Sequence, residues 1–170
     1  MTVYQGWSNS GTFTAGSGTV TFNAPSAGPY DINSGGSPFN NVSINSNNEN
    51  NIQRLTSALD INGNLNITRG TINTNGYNLS IAGNCVIDGG NGHLTASTGT
   101  VSFDGSGDQS IDPGNVSFNN FTINKSGGTA TLEHFTSIFP LLLKQRELMQ
   151  ILIDDRREHH RNLRNDGKVP

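Results

Sequence analysis

The sequence holds a single cysteine and a single tryptophan, and charged residues make up only 14% of it. One cysteine, Cys85, excludes an intrachain disulfide, and no second cysteine or paired histidine near it indicates a metal or redox site. We therefore predict that Cys85 is a small buried apolar residue and that the chain needs no cofactor.

The chain also lacks a recognisable leader and a membrane span. Met1 is followed by Thr-Val-Tyr-Gln, with neither a basic nor an apolar segment, so no signal peptide is predicted at this end. The longest apolar run, near Phe139, is too short to cross a bilayer. If the parent protein is secreted, as argued below, this chain is an excerpt of it.

Charge divides the chain near Thr131. Residues 1–130 contain three basic and seven acidic residues, whereas the last forty residues contain seven basic and six acidic ones. This change in composition predicts two segments, residues 1–132 and residues 133–170.

Hydrophobic content is low, at 32%, but Leu, Ile, Val and Phe together number 40 of 170 residues. That share exceeds the level of about 20% below which chains tend to stay unfolded. The 21 glycines and the many asparagines then need a structural use. Repeated tight turns are the use that suits both residue types, because both tolerate positive φ.

An internal repeat organises the first segment. Residues 11–22 read GTFTAGSGTVTF and residues 92–103 read GHLTASTGTVSF, with seven of twelve positions identical at an offset of 81. FNNVSIN at residues 39–45 and FNNFTIN at residues 118–124 form a second pair, offset by 79. We predict that Phe39 and Phe118 occupy equivalent places in successive structural units.

A finer rhythm of short apolar–polar–apolar triplets predicts very short strands. Repetition favours stacked coils over a sandwich or a barrel, because each coil buries its inward row only against its neighbours. We predict a mainly β fold, a right-handed parallel β-solenoid with Asn and Thr stacked at its turns. The residues predicted to point inward are Val20, Phe22, Val42, Ile44, Ile61, Ile67, Ile81, Val101, Phe103 and Ile123.

The segments GTFTAGSGTVTFN, FNNVSIN, INGNLNI, GTINTNGYNLSIAGN and FNNFTINKSGGTATL resemble the repeats of very large secreted bacterial surface proteins, adhesin-like or filament-like. The resemblance covers about residues 6–132. It implies a β-solenoid with a structural or adhesive role at the cell surface or outside the cell, and it carries no catalytic residue.

The last segment departs from this pattern and predicts a C-terminal α-helix. Ser137 suits the N-cap and Pro140 the first turn, and an apolar stripe follows at helical spacing. Such a stripe has to be buried, so we predict that it caps the solenoid or joins two chains. The stripe consists of Leu141, Leu142, Leu148, Met149, Leu152 and Ile153.

Charged residues of this segment do not indicate nucleic acid or a metal. Its arginines alternate with acidic residues, and its net charge is only +1. His159 and His160 are adjacent and would point about 100° apart on a helix. A solvated helix face explains these residues better.

Two further motifs of the first segment are candidate sites. Asp88-Gly-Gly-Asn-Gly-His-Leu94 resembles a calcium-binding nonapeptide, but leucine stands where the aspartate ligand is required. Asp104, Asp108 and Asp112 are spaced as acids of a β-helix enzyme could be, yet no Lys or Arg lies within ten residues of them. We interpret both as turns.

The sequence therefore predicts a non-catalytic structural or adhesive module of a secreted surface protein or fibre. Its expected partners are other copies of the chain, through the C-terminal helix or the solenoid ends, and surface glycans are a candidate ligand. The alternative is a carbohydrate-active β-helix enzyme or a carbohydrate-binding module. Trp7 and the scattered tyrosines offer no obvious aromatic platform for a sugar.

Overall fold

The computed structural model describes residues 1–114 and 116–133, which form a parallel β-solenoid of about six turns. The strands are β1 (Thr2–Val3), β2 (Trp7–Ser8), β3 (Thr19–Phe22), β4 (Tyr30–Asn33), β5 (Asn41–Asn45), β6 (Ile52–Leu55), β7 (Leu59–Ile61), β8 (Leu65–Asn73), β9 (Leu79–Ile81), β10 (Cys85–Ile87), β11 (Gly92–Thr95), β12 (Thr100–Phe103), β13 (Gln109–Asp112), β14 (Asn120–Ile123) and β15 (Ala130–Leu132).

These strands stack on three faces. Face 1 consists of β1, β3, β5, the first half of β8, β10, β13 and β15, and face 2 consists of β2, β4, β6, the second half of β8 and β11. The two faces belong to one sheet of eleven strands because β8 runs from one into the other through Gly70. Face 3 is a separate sheet of β7, β9, β12 and β14.

Parallel pairing places like residues above one another. On face 1, residues in register form an apolar column, Val20, Val42, Leu65, Cys85 and Ile111. On face 3, Leu59, Leu79, Val101 and Phe121 align in the same way. Alternate residues of each strand face outward, so these columns fill the interior and constitute the core.

The predicted inward positions are buried, with one exception. Ile123 is 44% exposed, whereas the other nine are no more than 4% exposed. Ile123 lies on β14, which pairs with β12 and is the last strand of face 3 among the described residues. Its side chain therefore has a neighbouring described coil on one side only.

Asparagine side chains stack at the corner between face 3 and face 1, as the sequence predicted. The Asn64 backbone N–H donates to Asn41 Oδ1 at 2.8 Å, and the Asn84 N–H donates to Asn64 Oδ1 at 2.8 Å. Ser110 continues this asparagine ladder with its N–H on Asn84 Oδ1 at 2.9 Å. Each side chain thus satisfies a backbone donor of the next coil at a point where the strands end.

The predicted fold class, a solenoid followed by a C-terminal α-helix, requires correction. The described residues form the parallel β-solenoid and contain no helix. Strand alternation continues to Leu132, and β15 still pairs with β13. The residues of the predicted helix, 137–170, lie outside the described residues, and the division at residue 132 remains a prediction.

The prediction that the long repeat marks equivalent places is wrong. Val20 and Phe22 lie in β3 on face 1, whereas Val101 and Phe103 lie in β12 on face 3. The reason is coil length. Three complete coils carry the chain from Val20 to its stacked equivalent Cys85, and the rest of the 81-residue offset continues through face 2 to face 3.

The strands within the second repeated pair also lie on face 1 in the first copy and on face 3 in the second. Val42 and Ile44 lie in β5 on face 1, whereas Phe121 and Ile123 lie in β14 on face 3. Phe39 is 1% exposed and forms an isolated parallel bridge with Ile61, whereas Phe118 is only partly buried. The repeated segments share strand chemistry without sharing a position in the coil.

Candidate functional site

A groove crosses the corner between face 1 and face 2, and unequal corner lengths create it. The chain uses residues 46–51 between β5 and β6, and residues 88–91 between β10 and β11. The coil between them has no such insertion, because β8 passes the corner at Gly70 with φ of 103°. We call the resulting valley the corner groove.

Three outward side chains in register form the floor of the corner groove. Ile52 pairs with Thr71, and Thr71 pairs with His93, so the three residues come from successive coils. Glu49 and Asn50 form one wall, and Gly90 and Asn91 form the other. The groove has a volume of about 570 Å³.

Hydrogen bonds within the chain hold both walls. Asp88 Oδ1 accepts the Gly90 N–H at 3.0 Å, and the Asp88 carbonyl oxygen accepts the Gly92 N–H at 2.7 Å. The Gly70 N–H donates to the Asn91 carbonyl oxygen at 2.9 Å, which joins this wall to the coil below. The Asp88 carboxylate and two backbone hydrogen bonds therefore set the geometry of this wall.

The other wall rests on a buried polar cluster. Asn51 is fully buried, and its Oδ1 accepts hydrogen bonds from Ser46 Oγ at 2.9 Å and from Gln53 Nε2 at 3.0 Å. Its Nδ2 donates to the Ser26 carbonyl oxygen at 2.7 Å. A buried amide with its hydrogen bonds made is a rigid anchor for the adjacent residues Glu49 and Asn50.

The polar side chains that line the groove are not used by the fold. Within residues 1–114 and 116–133, the side chains of Glu49, Asn50, Thr71, Asn91 and His93 make no hydrogen bond or ion pair. They therefore present donors and acceptors toward the groove rather than toward their neighbours.

One outward cation near the groove, Arg54, is already paired. Arg54, like Ile52, faces outward from β6. Its Nε donates to Asp31 Oδ1 at 2.8 Å, and its Nη2 donates to Asp31 Oδ2 at 3.1 Å. This hydrogen bond lowers the pKa of Asp31 and raises the pKa of Arg54. Glu49 makes no ion pair among the described residues.

The calcium-like turn is one wall of the groove. Leu94, which stands where the nonapeptide has its aspartate ligand, is 5% exposed and belongs to the core. The Asp88 carboxylate is used as a turn acceptor for Gly90. Within the described part of the chain, no group of three His, Cys, Asp or Glu side chains is arranged to hold a metal ion.

The three aspartates Asp104, Asp108 and Asp112 have separate surroundings. Asp108 accepts the backbone N–H of Thr129 at 2.8 Å and its hydroxyl at 2.9 Å, and these hydrogen bonds lower the pKa of Asp108. Asp112 Oδ1 accepts the Gly114 N–H at 3.3 Å. Partial burial raises the pKa of Asp60, and the nearby Asp104 carboxylate raises it further.

Coiling brings Lys125 to this region, although it is distant from these acids in sequence. Its Nζ donates to the carbonyl oxygens of Gly105 and Gly107 at 3.1 and 2.7 Å and to Gln109 Oε1 at 2.7 Å. Gln109 in turn donates to the carbonyl oxygens of Ile81 and Gly83. Lys125 and Gln109 together therefore link three successive coils, which makes the lysine a structural cation.

Cys85 and Trp7 are both taken up by packing. Cys85 is fully buried, as predicted, and burial raises the pKa of its thiol to about 12. Trp7 lies edge-on to Phe13 and Phe39, with ring centroids 4.8 and 5.2 Å away. Its ring is thus part of the aromatic cluster at the end of the core.

Sequence reasoning did not single out the corner groove. Its floor combines Ile52, Thr71 and His93, which are separated by about one coil each and carry no motif. The available signal was the uneven spacing between consecutive triplets. The predicted oligomerisation residues Leu141, Leu142, Leu148, Met149, Leu152 and Ile153 lie outside the described residues and remain a prediction.

No protein-family model, curated protein or solved structure matches this chain. Over the described residues, no helix has the length and apolar character needed to cross a membrane. The candidate site is therefore interpreted from its own chemistry.

Proposed function

We propose that this chain is a non-catalytic structural or adhesive repeat module of a secreted surface protein or fibre. The observation that carries the proposal is the uninterrupted stacking of the coils. Parallel strands, the apolar columns and the asparagine ladder all continue from coil to coil. A unit of this type extends by adding coils, which suits a spacer or a fibre.

The chemistry of the chain suits the outside of a cell. Its core is closed without a disulfide, and the buried Cys85 thiol with its raised pKa is a poor target for oxidants or exchange. The fold therefore holds in either redox compartment. This is compatible with an extracellular or cell-surface location, and the resemblance to surface-protein repeats is what supports that location.

Other copies of the chain are the first proposed partner, through the ends of the solenoid. Among the described strands β1 pairs with β3 alone, and the proposal is that a strand of another copy pairs with its other edge. Ile123 and Leu132, on the last described strands of faces 3 and 1, are 44% and 41% exposed. Unpaired strand edges and exposed apolar residues favour end-to-end association.

A carbohydrate-active enzyme is the alternative that an activity assay separates. We would incubate the chain and the double variant Asp104→Asn/Asp108→Asn with neutral and acidic polysaccharides and measure released reducing ends. We expect no release above the level of the double variant. In parallel, beads coated with the chain should adhere to each other or to cells more than beads coated with albumin.

Release of reducing ends that depends on those aspartates would contradict the proposal. Sedimentation of the chain at several concentrations tests for self-association. If the beads did not adhere and sedimentation did not depend on concentration, the adhesive and fibre forms of the proposal would both be contradicted.

A further inference from the structure

We infer that the corner groove is a binding site for an uncharged saccharide. This inference gives the proposed adhesive function a ligand class and rests on that function. It is drawn from the width of the groove, the groups that line it and their charge.

The dimensions of the groove suit a sugar chain. Its two walls come from coils that are two strand spacings apart, about 9–10 Å at about 4.8 Å per spacing. A volume of about 570 Å³ lies within the range of small-molecule sites. The intervening coil passes the corner at Gly70 without an insertion, and Gly70 itself is buried against Ser46 and Asn51.

The lining groups match hydroxyl groups. A sugar hydroxyl both donates and accepts hydrogen bonds, and it is bound best where donors and acceptors alternate. Asn91 and Asn50 supply both types, Thr71 supplies a hydroxyl, His93 an imidazole and Glu49 a carboxylate. Ile52 adds one apolar surface to the floor, against which the C–H face of a sugar ring can pack.

Charge selects an uncharged ligand. Glu49 lines the groove and Asp88 lies in the wall beside Gly90, whereas Arg54 is bound by Asp31. The exposed Arg69 precedes Gly70 at this corner but is not among the lining residues, which include no lysine or arginine. A sialylated, sulfated or uronate chain would bring its anions against these carboxylates. Like charges brought together in a partly closed site oppose binding.

The site is also formed before a ligand arrives. Asn51 anchors one wall and the Asp88 turn sets the other, so little ordering has to accompany binding. A preformed site loses less affinity to conformational entropy than a mobile loop does.

The test is a titration of the full chain, followed by ¹H–¹⁵N NMR, with cellotetraose, maltotetraose, chitotetraose and tetragalacturonic acid. We expect at least one of the three uncharged oligosaccharides to shift the amides of Thr71, Asn91 and His93. We expect the tetragalacturonic acid to bind at least about tenfold more weakly, and E49Q to reduce that difference.

A matched pair of variants localises the effect. Thr71→Arg places a long side chain across the floor and should weaken binding at least about tenfold. Thr95→Arg introduces the same charge on β11, exposed and outside the groove, and should change affinity by less than about twofold. Thermal unfolding of both variants shows that each keeps its fold.

Three results would overturn the inference: no uncharged oligosaccharide binds up to about 10 mM, the shifted amides lie elsewhere, or the two arginine variants lose affinity equally. If no saccharide binds while bead adhesion is intact, the inference about the corner groove fails and the proposed function stands. Aspartate-dependent release of reducing ends removes the proposed function, whatever the titration shows.

Discussion

At the scale of single residues, Gly105 shows how closely the coils approach at the corner between face 3 and face 1. A Cβ atom built at Gly105 would lie 1.9 Å from the Ala82 carbonyl oxygen of the preceding coil, which is backbone and cannot turn aside. Gly107, two residues further on, has no atom within 4 Å of its own Cβ position. Space therefore requires glycine at the first position and leaves the second open.

We predict that Gly105→Ala lowers the free energy of unfolding by about 3 kcal/mol or more, because the corner has to open to admit the methyl group. Gly107→Ala should be neutral or stabilising by less than about 1 kcal/mol, since alanine restricts the unfolded chain. Urea unfolding followed by circular dichroism measures both values. Equal shifts of the two midpoints would contradict the close approach.

At the scale of elements, the corners carry the hydrogen bonds that strands cannot make. Asn64 shows both halves of the arrangement, because its N–H donates to Asn41 and its side-chain oxygen accepts from Asn84. The neighbouring Asn62 is exposed, and its side chain makes no hydrogen bond with the residues that the structure describes. These two asparagines differ in role despite their proximity.

We predict that Asn64→Ala destabilises the protein by about 1 kcal/mol, the usual effect of losing one side-chain acceptor for a backbone N–H. Asn64→Asp keeps the acceptor and should recover most of the loss at neutral pH. Asn62→Ala should change stability by less than about 0.5 kcal/mol. Chemical unfolding of the three variants checks the ladder, and an equal loss for Asn62→Ala would argue against it.

At the scale of the whole molecule, we expect the fold to tolerate the loss of one complete coil better than the loss of part of a coil. Leu65 stacks on Cys85, so deletion of residues 65–84 joins Asn64 to Cys85 and removes one coil without changing the position of any later corner. Deletion of residues 65–74 removes fewer residues but moves every later corner to another face.

We predict that the longer deletion folds and unfolds cooperatively at a lower midpoint, as expected when one repeat of a solenoid is lost. The shorter deletion should be the less stable protein. Circular dichroism and thermal unfolding of the two variants give the comparison. A more stable half-coil deletion would contradict the stacking described above.

Much of the fold followed from local sequence. Alternation in segments such as Val20-Thr-Phe22 predicted strands, and burial of Phe22, Ile44 and Phe103 agrees with it. The preference of Cys85 for the interior and the stacking of asparagines at turns were predicted on the same basis. Each of these depends on residue type and on a period of two, which a single strand or turn displays by itself.

The tertiary structure decided the face on which each strand lies and the place of the corner groove. One apolar–polar–apolar triplet suits any face, so Val20 and Val101 have the same local pattern and lie in different sheets. The groove depends on the lengths of three corners that are far apart in sequence and adjacent only after coiling. Thr71, His93 and Glu49 lie close together because they come from successive coils that stack on one another. Which residues stack depends on the length of each coil, and no local sequence pattern shows that length.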